Sequence, residues 1–586
     1  MLFIELAQTF EKMEKTRSRI ELTYHLVELF TTTPAEIIDK VVYLILGKLG
    51  PDHESSELGI ADKIVIKTLS HSSRIPVDKI IKEYNSIGDL GEVAYKFLTE
   101  RTQSTLFAQV LTVDKVFSTL LKIAHTSGVG SLDIKIRLVN SLINSSSRLE
   151  SKFIVKLILG NLRLGIANFT LLDALTLAFT KDKKNRVILE RAYNVSSDLG
   201  KIAATLANGS ISEVQSISIS LFTPVRPMLA ERAVDSLEAL KKLDGFGLAE
   251  FKIDGERIQI HKQGEKIELF TRSLENVSSN FPDIINMIKL LSPKEMIAEG
   301  EIVAINPNNL RYLPFQNLMR RRRKYKIQEA VKAFPVMLNL FDILFIDGND
   351  TTNLPFLERR RLLKFALKDN RSDRIKLIEQ TQVSCTKDID AFMTKALENG
   401  CEGLMLKNPK TEYRAGARGW AWIKLKKEYS GKVIDSMDLV VLGALHGKGR
   451  RVGKYGALLL GAYDRVNDTF YTIGKVGTGF TDEILSLLSD RLSKLVLQGK
   501  SPRVEAGSLM MDVWFEPRVV LEIISPEITL SPVYTAARDA VNLGNGLALR
   551  FPKFSGKIRE DKLPEDSTTI DEVLELYRNQ FKQKSN

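Results

Sequence analysis

The spacing of hydrophobic positions changes along the chain and divides it into three parts. Through residues 1–221 apolar side chains recur three and four apart, as in Tyr24-His25-Leu26-Val27-Glu28-Leu29-Phe30 and again over 153–164, which predicts amphipathic helices. Strand-like alternation is scarce there. Small polar breaks such as 126–131 and Asn144-Ser145-Ser146-Ser147 suit helix-to-helix turns and caps. The pattern shifts after Leu221-Phe222-Thr223-Pro224-Val225-Arg226-Pro227, where two prolines fix φ and disfavour helix before them. Alternating runs follow at 248–253, 257–261 and 266–271, the last two joined as a hairpin by Lys262-Gln263-Gly264-Glu265. Apolar runs at 296–305, 336–346, 403–407 and 422–426 predict further strands, with helix between them, as at 386–398. Residues 222–429 therefore read as α+β. In 430–586 short strands at 439–444, 457–463, 469–473 and 519–524 alternate with glycine turns, which predicts a small β-barrel, followed by a terminal amphipathic helix at 571–582.

At 586 residues the chain is too long for one hydrophobic core, which agrees with that division. Hydrophobic residues at 44% and charged residues at 27% describe ordinary globular protein. The longest apolar stretches, such as 440–445 and 457–462, are core-strand length, so no membrane span is expected. The first ten residues carry Glu5 and lack a basic start followed by a long apolar run, so no secretory signal is read. Cys385 and Cys401 form no C-x-x-C pair, which favours a reducing, intracellular compartment. The formal net charge of +12 favours a polyanionic partner, although a lysine-rich surface accounts for it equally well.

The densest chemistry lies in Glu250-Phe251-Lys252-Ile253-Asp254-Gly255-Glu256-Arg257, a strand ending in a glycine turn. Alone, K-x-D-G is weak evidence, since roughly one chain in ten of this length carries it by chance. Its context is stronger. Glu299-Gly300-Glu301, Phe341-Asp342 and Glu402-Gly403-Leu404-Met405-Leu406-Lys407 lie on or next to predicted strands, and the alternation of Lys424-Leu425-Lys426 puts both ammonium groups on one face. Buried charges need partners or ligands, and lysines converging with strand carboxylates are what a site for phosphate and magnesium requires.

In order and spacing these motifs resemble the covalent nucleotidyltransferases, specifically the three-domain ATP-dependent DNA ligases of archaeal and eukaryotic type. The resemblance extends to Thr223-Pro224-Val225-Arg226-Pro227-Met228-Leu229-Ala230, Thr271-Arg272-Ser273, Leu549-Arg550-Phe551-Pro552 and Arg559-Glu560-Asp561-Lys562. It also takes in Leu159-Gly160-Asn161-Leu162-Arg163-Leu164-Gly165-Ile166, which looks like part of that family's helical DNA-binding domain. It implies an all-α DNA-binding domain at 1–221, an α+β adenylation domain at 222–429 and an all-β OB-fold barrel with a C-terminal helix at 430–586. It implies a monomer that seals nicks in duplex DNA with ATP and Mg2+ (or Mn2+), in an archaeal cytoplasm or a eukaryotic nucleus.

The same resemblance implies the residue roles. Lys252 attacks the α-phosphate of ATP and carries AMP. Glu250 and the Phe341 ring hold adenine, while Arg257 and Arg272 contact ribose and phosphate or the nick. Glu301 and Glu402 engage ribose and metal, or share the metal. Lys424 and Lys426 neutralise the α-phosphate, Arg414 and Arg418 lie near the phosphates, and Arg559 and Asp561 orient the leaving pyrophosphate. A free lysine, with a pKa of about 10.4, is almost wholly protonated at neutral pH, so the attacking amine must be made neutral. Neighbouring cations such as Arg257, Lys424 and Lys426 would favour that form. Lys553 stands where the family often has arginine, which weakens the expectation of a phosphate contact there.

Three smaller features remain open. Gln103-Ser104-Thr105-Leu106-Phe107 resembles the box with which ligases dock on a sliding clamp, through Gln103, Leu106 and Phe107, and reads equally as a helix core stripe. Arg320-Arg321-Arg322-Arg323-Lys324 suits a phosphate backbone or a solvated helix face. The glycine-rich basic run 447–456 suits close approach to DNA and lacks P-loop spacing. The histidines show no metal-ligand spacing, and His261 reads as a strand residue.

Overall fold

The computed structural model describes residues 1–586 except 17, 55–56, 88, 99–109, 314, 323–326, 427–434, 447–453, 526 and 583–586. The chain forms two compact units, one of Met1–Tyr193, Ser197–Ile217 and Ser501–Arg503, the other of Asn194–Ser196, Ser218–Lys500 and Val504–Asn586. Among the described residues no helix is long and apolar enough to cross a membrane.

The first unit is helical, from Phe3–Lys15 through Ile211–Gln215. Helix Val113–His125 shows the rule: Thr112 caps it by accepting from Lys115 N, and Val116, Phe117, Leu120 and Ile123 are buried along one stripe. The polar break at 144–147 is a junction, where Ser147 and Glu150 make a reciprocal capping box for Arg148–Ile158. Helical spacing of apolar residues continues to 164, but the helix stops at Ile158. Gly160 adopts φ +65, and the amides of Gly160 and Asn161 donate to the carbonyls of Leu157 and Lys156 at 3.1 and 2.7 Å. This left-handed glycine closure ends the helix although the hydrophobic period would carry it on.

The second unit begins with two sheets. One has the order β1 (Leu229–Arg232), β11 (Arg418–Lys426), β10 (Gly403–Lys407), β2 (Gly247–Lys252), β9 (Gln380–Val383). The other runs β4 (Lys266–Thr271), β3 (Glu256–Gln263), β5 (Glu295–Ala304), β6 (Val336–Ile346), β7 (Asn349–Asp350), with β8 (Ile375–Leu377) also on β6. The expected hairpin is present, with Gln263 opposite Lys266. The strand foreseen at 422–426 is longer, because the edge strand β1 pairs in parallel with β11 back to Arg418. The helix foreseen at 386–398 is Thr386–Glu398.

After residue 434 a larger sheet has the order β15 (Val496–Leu497), β17 (Val513–Phe515), β12 (Asp435–His446), β13 (Tyr455–Asp464), β14 (Thr469–Val476), β16 (Val504–Glu505). Strand β18 (Val520–Ser525) pairs with both β12 and β21 (Lys553–Ile558), and β19 (Glu527–Ser531) with β20 (Gly546–Arg550). The reading of mostly strands missed the helix Asp482–Ser493, capped by Thr481 and burying Leu485, Leu488 and Leu492. The terminal helix runs Ile570–Lys582.

Part of the basic run at 320–324 is structural. Arg321 is fully buried and donates to the carbonyls of Asn280 and Phe334 at 3.2 and 2.7 Å and to Asp283. Arg322 pairs with Glu256 at 2.8 Å. Arg323, Lys324, the box at Gln103, Leu106 and Phe107, and residues 447–453 of the glycine-rich run lie outside the described residues.

Candidate active site

Lys252 is the last residue of β2, and the chain then turns through Ile253-Asp254-Gly255 into β3. A Cβ at Gly255 would lie 2.4 Å from the carbonyl oxygen of Ile302 in β5, so only glycine lets the turn pass that close. The turn brings the ends of both sheets to one pocket. Glu250, Lys252, Arg257, Arg272, Glu301, Phe341, Glu402, Arg418, Lys424, Lys426, Arg559 and Asp561 all line it. Arg414 is not among its lining residues.

Lys252 is in an ion pair. Its Nζ lies 2.7 Å from Oε2 of Glu402, which also meets Lys426 Nζ at 3.3 Å. Lys557, from β21, bridges Glu402 and Asp254 at 3.3 and 3.2 Å. Burial opposes the charged form of Glu402, yet Lys252, Lys426 and Lys557 hold its carboxyl well below the usual range. The expected surrounding of cations is therefore incomplete as a description, since the nearest charge to the amine is a carboxylate. β10 starts directly after Glu402, whose amide donates to the Lys252 carbonyl at 2.8 Å.

Glu301 is paired in register with Arg257 across β5 and β3. Burial pushes its carboxyl up to about 8, against the pull of Lys252 and Arg257. Among the described residues Glu301 has no ion pair of its own. Arg257 instead donates to Glu299 at 2.7 Å and to the Met228 carbonyl at 2.8 Å, with its guanidinium 5.3 and 5.2 Å from the ring centres of Phe341 and Trp422.

Glu250 is 1% exposed and is held by Lys407 at 2.7 Å and by the Gln380 amide at 2.8 Å. Arg418 pairs at 2.7 Å with Glu572 of the terminal helix, and Lys424 lies 3.6 Å from the same carboxylate. Burial, outweighing Glu572, brings Lys424 down to about 7. Arg272 lies 3.4 Å from Asp566. Arg559 forms a fork with Asp561 at 2.9 and 2.7 Å and meets Asp438 at 3.3 Å, while Lys562 also pairs with Asp438.

Lys407, Asp438, Lys557 and Glu572 carry no role in the sequence reading. Two left a signal. Lys407 and Asp438 are charged residues in apolar strands, where an unpaired charge is costly. Thr569 and Glu572 form a T-x-x-E capping box, with Thr569 N donating to Glu572 at 2.9 Å, which marks the helix start but not the arginine it reaches.

The carboxylates suit a divalent cation. Among the described residues no three His, Cys, Asp or Glu side chains form a ready-made cage. Magnesium usually takes one or two protein carboxylates and completes its shell with phosphates and water, and Glu301 is a half-buried carboxyl without an ion pair among the described residues.

The model described as "ATP dependent DNA ligase domain" matches residues 227–426, "DNA ligase N terminus" matches 2–176, and "ATP dependent DNA ligase C terminal region" matches 451–562. A DNA ligase of Nitrosopumilus maritimus is 50% identical over 583 residues, covering 99% of both chains. The chain belongs to the ATP-dependent DNA ligases. This ligase is also 47% identical to one from Cenarchaeum symbiosum, covering 99% of this chain and 98% of that one. With DNA ligase 2 of Thermofilum pendens it shares 45% over 98% of its own length and 97% of the relative's. The ligase seals nicks in DNA with ATP and a divalent metal ion, and has a helical N-terminal region, a nucleotidyltransferase domain and a β-rich C-terminal region.

Proposed function

We propose that Lys252 is the residue to which ATP transfers AMP, and that each side chain of the pocket serves one part of that transfer. The observation that carries this reading is the convergence of Lys252 with Glu301, Glu402, Lys424 and Lys426 in a pocket also lined by Arg559 and Asp561. The neutral Nζ attacks the α-phosphorus, a P–N bond forms, the bond to the bridging oxygen breaks, and pyrophosphate leaves with its electron pair. Lys424 and Lys426 receive the charge on the α-phosphate, and Arg559 and Asp561 orient the pyrophosphate. Glu250 accepts from the adenine amino group, the Phe341 ring packs on the base, and Arg257, Arg272 and Arg418 serve ribose, phosphates or the nick, with Arg414, outside the pocket lining, left to the nick. Glu301 and Glu402 would hold a magnesium ion, which when bound would spread phosphate charge.

AMP then passes to the 5′-phosphate of the nick, and the 3′-hydroxyl displaces it. Geometry supports the first step most directly, because the amine and the charges it needs already share one wall. Residues 1–221, 222–429 and 430–586 are proposed as the DNA-binding, adenylation and OB-fold domains. Supporting the last is the way β18 joins β12 to β21 in one sheet. Clamp docking through Gln103, Leu106 and Phe107, a monomeric state and an intracellular setting complete the reading.

The test is to label the protein with ATP carrying label at the α-phosphate, with magnesium, and then add nicked duplex DNA, a nicked RNA duplex or a diphosphate-ended RNA. Acid-labile label that is discharged, with sealing, only by the first is the expected result. Label that moves only to the diphosphate end overturns the reading.

A further inference from the structure

Lys407 is the last residue of β10 and is 1% exposed. Its Nζ lies 2.7 Å from Glu250 Oε2 and stands 4.2, 4.4 and 4.7 Å from the ring centres of Trp422, Phe356 and Phe341. The other Glu250 oxygen accepts from Gln380 at 2.8 Å and lies 3.6 Å from Arg360. Both carboxylate oxygens are thus fixed on the pocket wall. Ring faces and one carboxylate together make a buried ammonium tolerable. Burial still pushes Lys407 below the ordinary lysine range, despite Glu250. A methionine of similar length would fill the same box of rings without the charge, so packing alone does not account for a lysine here.

We propose that Lys407 is a positioning residue for nucleotide choice: it holds the Glu250 carboxylate in place as a hydrogen-bond acceptor, so that the pocket takes a purine with a 6-amino group and rejects one with a 6-oxo group. This rests on the reading of Glu250 as the partner of adenine. A carboxylate accepts from the 6-amino N–H. Set against a 6-oxo oxygen, two acceptors face each other and the 6-oxo group finds no donor, the kind of mismatch that a buried polar site discriminates most strongly. Without Lys407 that carboxylate keeps only the Gln380 amide and the more distant Arg360, both on one oxygen, so its other oxygen is no longer held toward the 6-position. Removing Lys407 therefore relaxes the choice as well as weakening ATP binding.

The experiment compares covalent labelling of the full chain by α-labelled ATP and inosine triphosphate, as kcat/KM, for the unaltered protein, Lys407→Met, Lys407→Gln and Glu250→Gln. Nicked-DNA binding and thermal unfolding report the fold of each. The unaltered protein is expected to favour ATP by about 10³-fold or more. In Lys407→Met or Lys407→Gln, whichever is folded, that ratio is expected to fall by about ten-fold or more, mainly through KM for ATP. A purely structural role would lower use of both nucleotides together. An unchanged ratio in a folded Lys407 variant overturns the proposal, as does unaltered protein that takes inosine triphosphate as readily as ATP. If Glu250→Gln keeps both ATP use and the ratio, the reading of Glu250 itself fails. If Glu250→Gln relaxes the ratio and the Lys407 variants do not, only the proposal for Lys407 fails.

Discussion

Lys252 Nζ and Glu402 Oε2 stand 2.7 Å apart, at the end of one strand and the threshold of its neighbour. If Lys252 is the attacking amine, as proposed, its Nζ has to leave this carboxylate to reach the α-phosphate. On the proposed reading Glu402 would hold a divalent cation, which when bound would compete with Lys252 for that carboxylate and so tie metal binding to release of the amine. Chelation of the metal should therefore abolish lysyl-AMP formation. Glu402→Gln should slow it by about 10²-fold at saturating ATP, the scale of losing one preorganised electrostatic group. Single-turnover labelling measures both, and an unchanged rate in Glu402→Gln would remove Glu402 from the site.

Glu301 makes stability depend on pH. Its carboxyl lies near 8 in the folded chain against an ordinary value of 4.5, so between these limits the folded state binds the proton and the unfolded state does not. The stability this group contributes is present below about 4.5 and is lost as pH rises through 8. Glu301→Gln lacks that loss, so its unfolding midpoint relative to the unaltered protein should climb from pH 5 to pH 8. A difference that stays flat across the series contradicts the raised pKa of this carboxyl.

Asp342 is expected to matter for stability rather than chemistry. It is 0% exposed and receives the Arg359 guanidinium in a fork at 2.8 and 3.0 Å, while Arg359 also donates to the Leu354 and Thr411 carbonyls at 2.6 and 3.1 Å. Asp342→Ala leaves a buried guanidinium without its counter-charge, a loss of roughly 3–5 kcal/mol. Urea unfolding should show it, and Asp342→Asn should lose less. A change below about 1 kcal/mol, the scale of an exposed pair, would contradict the buried fork.

Elements with a strong hydrophobic period are legible in the sequence. The run 336–346 reads as a strand and forms β6 because it is mostly apolar and both of its faces are buried, and the linker with two prolines marks the shift from helices to sheets. Period misleads where local chemistry overrides it, as at Gly160, or where a helix such as Asp482–Ser493 is set among strands. In the site, Lys252 and its motif companions are readable because they sit close in sequence or on strands of clear alternation. Lys407, Asp438, Lys557 and Glu572 are not, since their meaning lies in register and tertiary pairing. Glu572 of the terminal helix reaches Arg418 of β11 across 154 positions of sequence, and no spacing along the chain encodes that pairing. Arg321 shows the converse, a basic residue whose neighbours suggest phosphate but whose guanidinium is consumed by buried carbonyls and Asp283.

The most direct measurement is peptide mass spectrometry of the folded protein after treatment with ATP and magnesium. One adenylyl group on the peptide containing Lys252, located on that side chain and absent from Lys252→Ala, is the expected result. An adenylyl group on another residue, or none on protein shown to be folded and to bind nicked DNA, would contradict the assignment of Lys252.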